Sequence, residues 1–114
     1  MSSLRNKVLL IGHAGNAPEM KSMENGKKLA RFSIATNETY QNSKGEKVTE
    51  TTWHNLVAWD FLAERAEKYL QKGTQVIIDG KLINRSYDDK EGNKKYIMEV
   101  QVNDIMMPAA KEKV

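Results

Sequence analysis

The chain has 114 residues, a length that suits one compact domain with a single core. It contains no cysteine, which excludes disulfides and thiolate metal sites, and no apolar run of membrane-spanning length. The apolar run from Val8 to Ile11 is too short for a signal peptide, so we expect a cytoplasmic protein. A net charge of +3 permits a polyanion partner, but an ordinary solvated surface fits it equally well.

The N-terminal third predicts two strands. Residues 6–11 are expected to form a buried strand that stops at Gly12, and residues 12–20 are expected to form a loop. Asn-Gly at 25–26 predicts a type I′ hairpin turn, which needs positive φ angles at both residues. Alternation over 28–40 predicts the second strand. Its more apolar face, expected to turn toward the core, comprises Ala30, Phe32, Ile34 and Thr36.

A third strand is predicted after another polar segment, and it carries both tryptophans. Trp53 and Trp59 fall on one face of this strand because its side chains alternate. Asp60 then predicts a helix N-cap, and helical spacing of apolar residues predicts a helix of about three turns over 61–72. Gly73 stands where a C-terminal cap is expected.

Two further strands are predicted over 74–87 and 96–107, and Gly80 indicates a bulge in the first. Three strands, a short helix and two strands match the OB-fold. This all-β fold is a five-stranded Greek-key barrel, here with its helix between strands 3 and 4. An open sheet packed on one helix, or another small barrel, are the alternatives. The barrel domain is expected to span residues 1–107, followed by a short polar tail at 108–114.

Catalytic and metal chemistry find little support in the sequence. Of the two histidines, His13 falls in a loop and His54 shares a strand face with Leu56 and Ala58. His54 therefore reads as a buried or interface residue and not as a base. No phosphate-cradling glycine motif and no metal-ligand spacing occurs. We therefore expect no enzymatic activity, no cofactor and no metal site.

The tryptophan face is the most informative feature. Two tryptophans on one strand face are more often core, and that alternative stands. However, the opposite face carries Leu56 and Ala58, and Asn55 lies between the tryptophans. If Leu56 and Ala58 fill the core, Trp53 and Trp59 point outward. Exposed aromatic side chains on a barrel form a stacking platform that holds single-stranded nucleic acid without sequence preference.

Two tyrosines extend this interpretation. Tyr40 and Tyr87 each lie where a strand leaves for a polar hairpin tip rich in lysine. Such lysines could neutralise phosphates while the rings stack bases, although lysine-rich turns are equally typical of ordinary soluble surfaces. The lysines of the two tips are Lys44, Lys47, Lys90, Lys94 and Lys95.

Several stretches together resemble the bacterial single-stranded DNA-binding protein family. They are NKVLLIGHAGNAPEM, LARFSIATNETY, ETTWHNLVAWDFLAERAEKYLQKGTQVIIDGKL and NRSYDDKEGNKKYIMEV, in family order from about Leu4 to Met107. The resemblance implies an OB-fold, assembly as a homotetramer and binding of single-stranded DNA during DNA replication, repair and recombination.

The resemblance also implies roles for particular residues. His54 would support subunit contacts. The aromatic residues that would stack bases are Tyr40, Trp53, Trp59 and Tyr87. The basic residues that would contact DNA are Lys7, Arg31, Lys44, Lys47, Lys72, Lys81 and Arg85.

The chain also departs from the family pattern. Asn55, Phe61 and Ser86 replace basic residues common in the family, so we expect fewer phosphate contacts and a shallower salt dependence. The family's acidic C-terminal tip, which recruits replication and repair enzymes, has no counterpart in residues 108–114, so that route of recruitment is not expected. An OB-fold replication accessory protein that acts mainly through protein partners is the alternative. RNA binding stays open, since stacking does not test for the 2′-hydroxyl.

Overall fold

The structure is a computed structural model that describes residues 4–108. The predictions for residues 1–3 and for 109–114 of the polar tail therefore lie outside the described residues. Six strands and one helix occur in this part of the chain. They are β1 (Val8–Ala14), β2 (Glu19–Ser22), β3 (Lys28–Gln41), β4 (Lys47–Trp59), α1 (Phe61–Tyr69), β5 (Gln75–Asp88) and β6 (Lys94–Met106).

Five of the strands close into a barrel, in the order β1-β5-β6-β4-β3 and back to β1. Closure is made by two pairs between β1 and β3, His13 with Ala35 and Ala14 with Ile34. All neighbours are antiparallel except β4 and β6, which run parallel. This confirms the predicted OB-fold, and the open-sheet alternative is wrong because β1 pairs on both of its sides. The sixth strand, β2, pairs only with β3.

Strand β1 does not stop at Gly12 as predicted. It continues to Ala14, and Gly12 is where it passes from β5 toward β3. A Cβ atom at Gly12 would collide with the carbonyl oxygen of Ala35, so only glycine allows this close approach. The segment predicted as loop is likewise shorter, because it ends at β2.

The hairpin at Asn25–Gly26 is confirmed, but its predicted type I′ turn is wrong. Gly26 has a φ of 85°, whereas Asn25 does not have a positive φ. Gly26 N–H donates to the Met23 carbonyl, and Met23 N–H donates to that of Lys27. This is the three-residue loop in which a turn is followed by one left-handed glycine. The hairpins at Gly45 and Gly92 repeat the pattern.

The predicted core faces are confirmed for their apolar residues, whereas Thr36 of the predicted β3 face is only half-buried. Ala30, Phe32 and Ile34 of β3 and Leu56 and Ala58 of β4 are all buried. Helix α1 covers this core with Ala63 and Ala66, and Leu70, directly after the helix, packs into the same core. Within residues 4–108, no helix is long and apolar enough to cross a membrane.

The helix ends earlier than its sequence pattern predicts. The last helical residue is Tyr69, and Leu70 is already extended and buried in the core. Gly73, with a φ of 88°, is not the helix cap. It belongs to a turn in which Thr74 N–H donates to the Gln71 carbonyl. Burying Leu70 therefore outweighs another turn of helix. The predicted irregularity in β5 is confirmed between Asp79 and Gly80.

Asp60 occupies the predicted N-cap position, but its side chain makes no capping hydrogen bond. Its backbone lies at φ 52° and ψ −115°, a conformation that is strained for every residue except glycine. We expect Asp60→Gly to raise the free energy of unfolding by about 1 kcal/mol, because relief of strain exceeds glycine's entropic cost. Denaturant unfolding at a fixed protein concentration measures this, and Asp60→Ala is the matched control that should bring no gain. A loss of stability in Asp60→Gly would contradict the strain.

Candidate nucleic-acid interface

A groove opens on the outer face of the barrel, where its two long hairpins diverge. Strands β4 and β6 pair only at Leu56 with Val100 and at Val57 with Gln101. Beyond these pairs the β3–β4 and β5–β6 hairpins separate into two arms. The groove between them has a volume of about 280 Å³. Its lining residues are Asn16, Glu19, Arg31, Phe32, Ser33, Asn55, Leu56, Arg85, Ile97 and Glu99.

The tryptophans of β4 both lie on this outer face. Trp53 is 59% exposed, so the alternative that places it in the core is wrong. Trp59 is half-buried and pairs with the buried Leu29 of β3, so its ring is partly packed and partly accessible. An outer face that carries aromatic surface is the arrangement expected of a stacking platform.

The position of Trp53 depends on the residue beneath it. A Cβ atom at Gly15 would lie 2.5 Å from Cζ3 of the Trp53 ring and 3.3 Å from the Ser33 hydroxyl. The ring therefore lies directly over the Gly15 backbone. Asn16 holds the neighbouring loop in place, because its Oδ1 accepts a hydrogen bond from the Ser33 hydroxyl at 2.9 Å. These contacts fix one side of the Trp53 ring and leave the other side open.

Two predicted DNA contacts, Arg31 and Arg85, meet at a buried carboxylate in the groove. Glu99 Oε2 accepts a hydrogen bond from Arg31 Nη1, and Oε1 accepts one from Arg85 Nε at 3.1 Å. The Arg85 guanidinium also lies over the Tyr87 ring, 5.8 Å from its centroid. Strand register places Tyr87 on the same face as Arg85, two residues along β5. The structure thus brings Arg31, Arg85 and Tyr87 together.

Tyr40 is placed differently. It pairs with Val48 in the part of the β3–β4 arm beyond the barrel, five residues from Ala35, which pairs with Trp53. An odd separation puts Tyr40 on the opposite face of the ribbon from Trp53. Its hydroxyl donates to Glu50 Oε1 at 3.1 Å. Tyr40 therefore belongs to the arm and not to the groove.

The remaining predicted basic contacts are dispersed. Lys81 pairs with Gln101 and so shares the outer face with the tryptophans, whereas Lys7 bonds Asp79 at 3.1 Å on the β1–β5 side. Lys72 lies in the turn bonded to Ala14 through Gly73. Lys44 and Lys47 are exposed at the tip of the β3–β4 arm. The structure therefore brings some of these cations to the groove and leaves others along the arms and flanks.

His54 lies on the face of β4 opposite the tryptophans, as predicted, and is half-buried. Its Nε2 is 2.9 Å from the Thr36 hydroxyl. Thr36 in turn borders Gly12, where β1 bends. Among residues 4–108, no three histidine, aspartate or glutamate side chains cluster as a metal site.

The groove contains one residue that sequence reasoning did not connect with binding. Glu99 falls within the last predicted strand, but nothing in the pattern showed which groups it meets. The sequence held no clear signal for its burial, because Met98 and Val100 lie on the other face of the strand. A buried carboxylate requires cationic partners, and Arg31 and Arg85 supply them.

Comparison with known proteins identifies the family to which this site belongs. The profile of the "Single-strand binding protein family" matches residues 5–108. The chain belongs to this family. It is 45% identical over 108 residues to "Single-stranded DNA-binding protein 1" of Chlorobaculum tepidum, and 39% identical over 102 residues to "Single-stranded DNA-binding protein" of Neisseria meningitidis.

The family assignment holds for the fold as well. A solved structure, "Plasmodium falciparum SSB complex with ssDNA", superimposes with a TM-score of 0.82 at 34% identity, covering 94% of this chain and 97% of that one. The matches cover 94% and 90% of this chain for the Chlorobaculum and Neisseria relatives. The chain spans 67% of the length of the first relative and 59% of the second.

Proposed function

We propose that the chain binds single-stranded DNA with little sequence preference and protects it during replication, repair and recombination. The observation that carries this proposal is the outer face, where Trp53 and Tyr87 are exposed on the two diverging arms and Arg31 and Arg85 line the groove between these arms. Rings offer a surface to any base, and guanidinium groups attract any phosphate backbone. The family's relatives, named for single-stranded DNA binding, support it.

The mechanism is binding without turnover. Each base stacked on a ring would contribute roughly 1–3 kcal/mol. Further charge would come from lysines on the same face and along the arms. Within the described residues, ion pairs with acidic side chains are absent for Lys44, Lys47, Lys72 and Lys81. These four would neutralise phosphates at no cost in broken ion pairs. Tyr40 would stack a base farther along the β3–β4 arm, on the face of the arm opposite Trp53.

We also propose that four copies assemble. The outer face of β1, β5 and β6 carries an apolar stripe on neighbouring strands, which comprises the exposed Leu9, Ile11 and Met106 and the half-buried Ile77. In addition, β1 pairs with β3 only at its last two residues. From Val8 to Gly12, the edge of β1 that faces away from β5 therefore has no partner strand among the described residues. An open strand edge and an apolar face are two self-complementary surfaces, and two such contacts generate a tetramer with dihedral symmetry.

The mixed face of β6 around Ile97 and Gln101 is less suited to a subunit contact, because Glu99 on that face is engaged with the chain's own arginines. His54 fits the subunit surface formed by the edge of β1. Its partner Thr36 borders the bend of β1, where the open edge ends. We therefore keep His54 as a subunit-contact residue.

The test is tryptophan fluorescence during titration with oligo(dT), repeated across salt concentrations. We expect strong quenching by the single strand and little by duplex DNA, because only unpaired bases reach the Trp53 ring. Affinity should fall linearly on a log–log salt plot, with a slope of about −0.7 per phosphate neutralised. Oligo(U) tests RNA against DNA. Absence of quenching would favour the alternative, an accessory protein that acts through protein partners in the cytoplasm.

A further inference from the structure

Glu99 is the one charged side chain that is buried among residues 4–108, with 4% of its surface exposed. It lies in the groove between the two arms, where the proposed function requires positive charge. A carboxylate withdrawn from water is stable only when cationic groups and hydrogen bonds satisfy it. The groups that contact Glu99 therefore indicate its role.

Both carboxylate oxygens are used, and by different strands. Oε2 accepts from Arg31 on β3, and Oε1 accepts from Arg85 Nε on β5. Glu99 thus links the two arms across the groove. Both arginines stay partly exposed, with 34% and 40% of their side chains accessible, so their remaining N–H groups can meet a phosphate.

The contact of Arg85 continues to an aromatic ring. Its Nε points at Glu99, while its guanidinium lies 5.8 Å from the centroid of the Tyr87 ring. A guanidinium held at one end by a carboxylate is restricted in the positions it can take over the ring. Arg85 therefore covers part of the Tyr87 ring in a fixed arrangement.

We propose that Glu99 is a positioning residue of the binding face. It holds Arg85 against Tyr87, which orients the ring for stacking, and it offsets one of the two positive charges that Arg31 and Arg85 bring to the groove. The inference rests on the proposed function, because it concerns how the same face holds single-stranded DNA. Glu99 therefore has two opposite effects on affinity for single-stranded DNA: positioning Arg85 strengthens binding, and offsetting positive charge weakens it.

Glu99→Gln separates the two effects in an oligo(dT) titration over a range of salt. Removing the negative charge adds one net positive charge, so the log–log salt dependence should steepen by about 0.7. Loss of the fixed Arg85 should also weaken stacking on Tyr87, by about fivefold at high salt, where electrostatic attraction is screened. The variant should therefore bind more tightly than the parent at low salt and more weakly at high salt.

Glu19→Gln is the matched control. Glu19 lines the same groove but is exposed and makes no ion pair with either arginine. Its removal should steepen the salt dependence without weakening binding at high salt. If the plots of log affinity against log salt concentration for Glu99→Gln and the parent are parallel or coincide, Glu99 contributes only to the stability of the fold and the proposal is overturned. A parent protein that does not bind oligo(dT) at all would instead overturn the proposed function, and this inference with it.

Arg85→Lys tests the same contact if Glu99→Gln does not fold, as judged by circular dichroism. Lysine keeps the charge but lacks the planar group that pairs with Glu99 and lies over Tyr87. We expect an unchanged salt slope and binding about fivefold weaker at every salt concentration. Binding as tight as that of the parent would overturn the role of Arg85 between Glu99 and Tyr87.

Discussion

Replacing Trp53 with alanine is expected to weaken binding of oligo(dT) by about 1–3 kcal/mol, or roughly 5- to 150-fold. The reason is that the exposed side of this ring offers the largest stacking surface on the outer face, while its other side rests on Gly15. Little core is lost, so the free energy of unfolding should change far less than the affinity. Equilibrium titration and denaturant unfolding of the same variant measure both.

Tyr96→Ala is the control for this prediction. Tyr96 is 70% exposed, comparable to Trp53, but it pairs with Ser86 on the opposite face of the β5–β6 arm from Tyr87. Its removal should leave affinity unchanged. Equal losses in both variants would mean that any exposed aromatic side chain matters, and the platform on the outer face would then be the wrong explanation.

Trp59 should respond differently from Trp53. It is half-buried against Leu29, so Trp59→Ala is expected to lower both stability and affinity, whereas Trp59→Phe should preserve most of each. The contrast between the two tryptophans follows from their different depth on a single strand face.

Ile11→Arg is expected to halve the assembly. Four chains of 13.0 kDa give a tetramer of about 52 kDa, and the variant should run as a dimer of about 26 kDa. Ile11 is 56% exposed in the single chain, so arginine is tolerated in the fold, but it would be buried without a partner in an apolar subunit contact. The open edge of β1 should still hold two chains together. Light scattering measures the mass.

Phe61→Arg is the control for assembly. Phe61 is also exposed and apolar, but it lies at the start of α1, outside the stripe on β1, β5 and β6. Its mass should stay near that of the tetramer. If the parent chain itself runs near 13 kDa, the tetramer proposal fails, and if Ile11→Arg leaves the mass unchanged, the stripe is not the contact.

Local patterns in the sequence were sufficient for most of the fold. Alternation at Phe32, Ile34, Leu56 and Ala58 identified the core faces, because a strand with one buried side must repeat with a period of two. Where local signals failed, a contact between distant residues had prevailed. Gly12 does not end β1 because its backbone packs closely against the Ala35 carbonyl group. The helix ends at Tyr69 because Leu70 packs into the core.

Composition and short-range periodicity by themselves determined the absence of thiolate chemistry and the placement of both tryptophans on one strand face. The class of the protein was indicated by the resemblance of several stretches to a known family, and the structure decided that the tryptophan face points outward. Only the tertiary structure decided that Glu99 joins Arg31 and Arg85, residues 68 and 14 positions away along the chain. It also decided that Tyr40 stands apart from the groove. Such facts depend on strand register and on where β4 and β6 separate, and no local pattern encodes them.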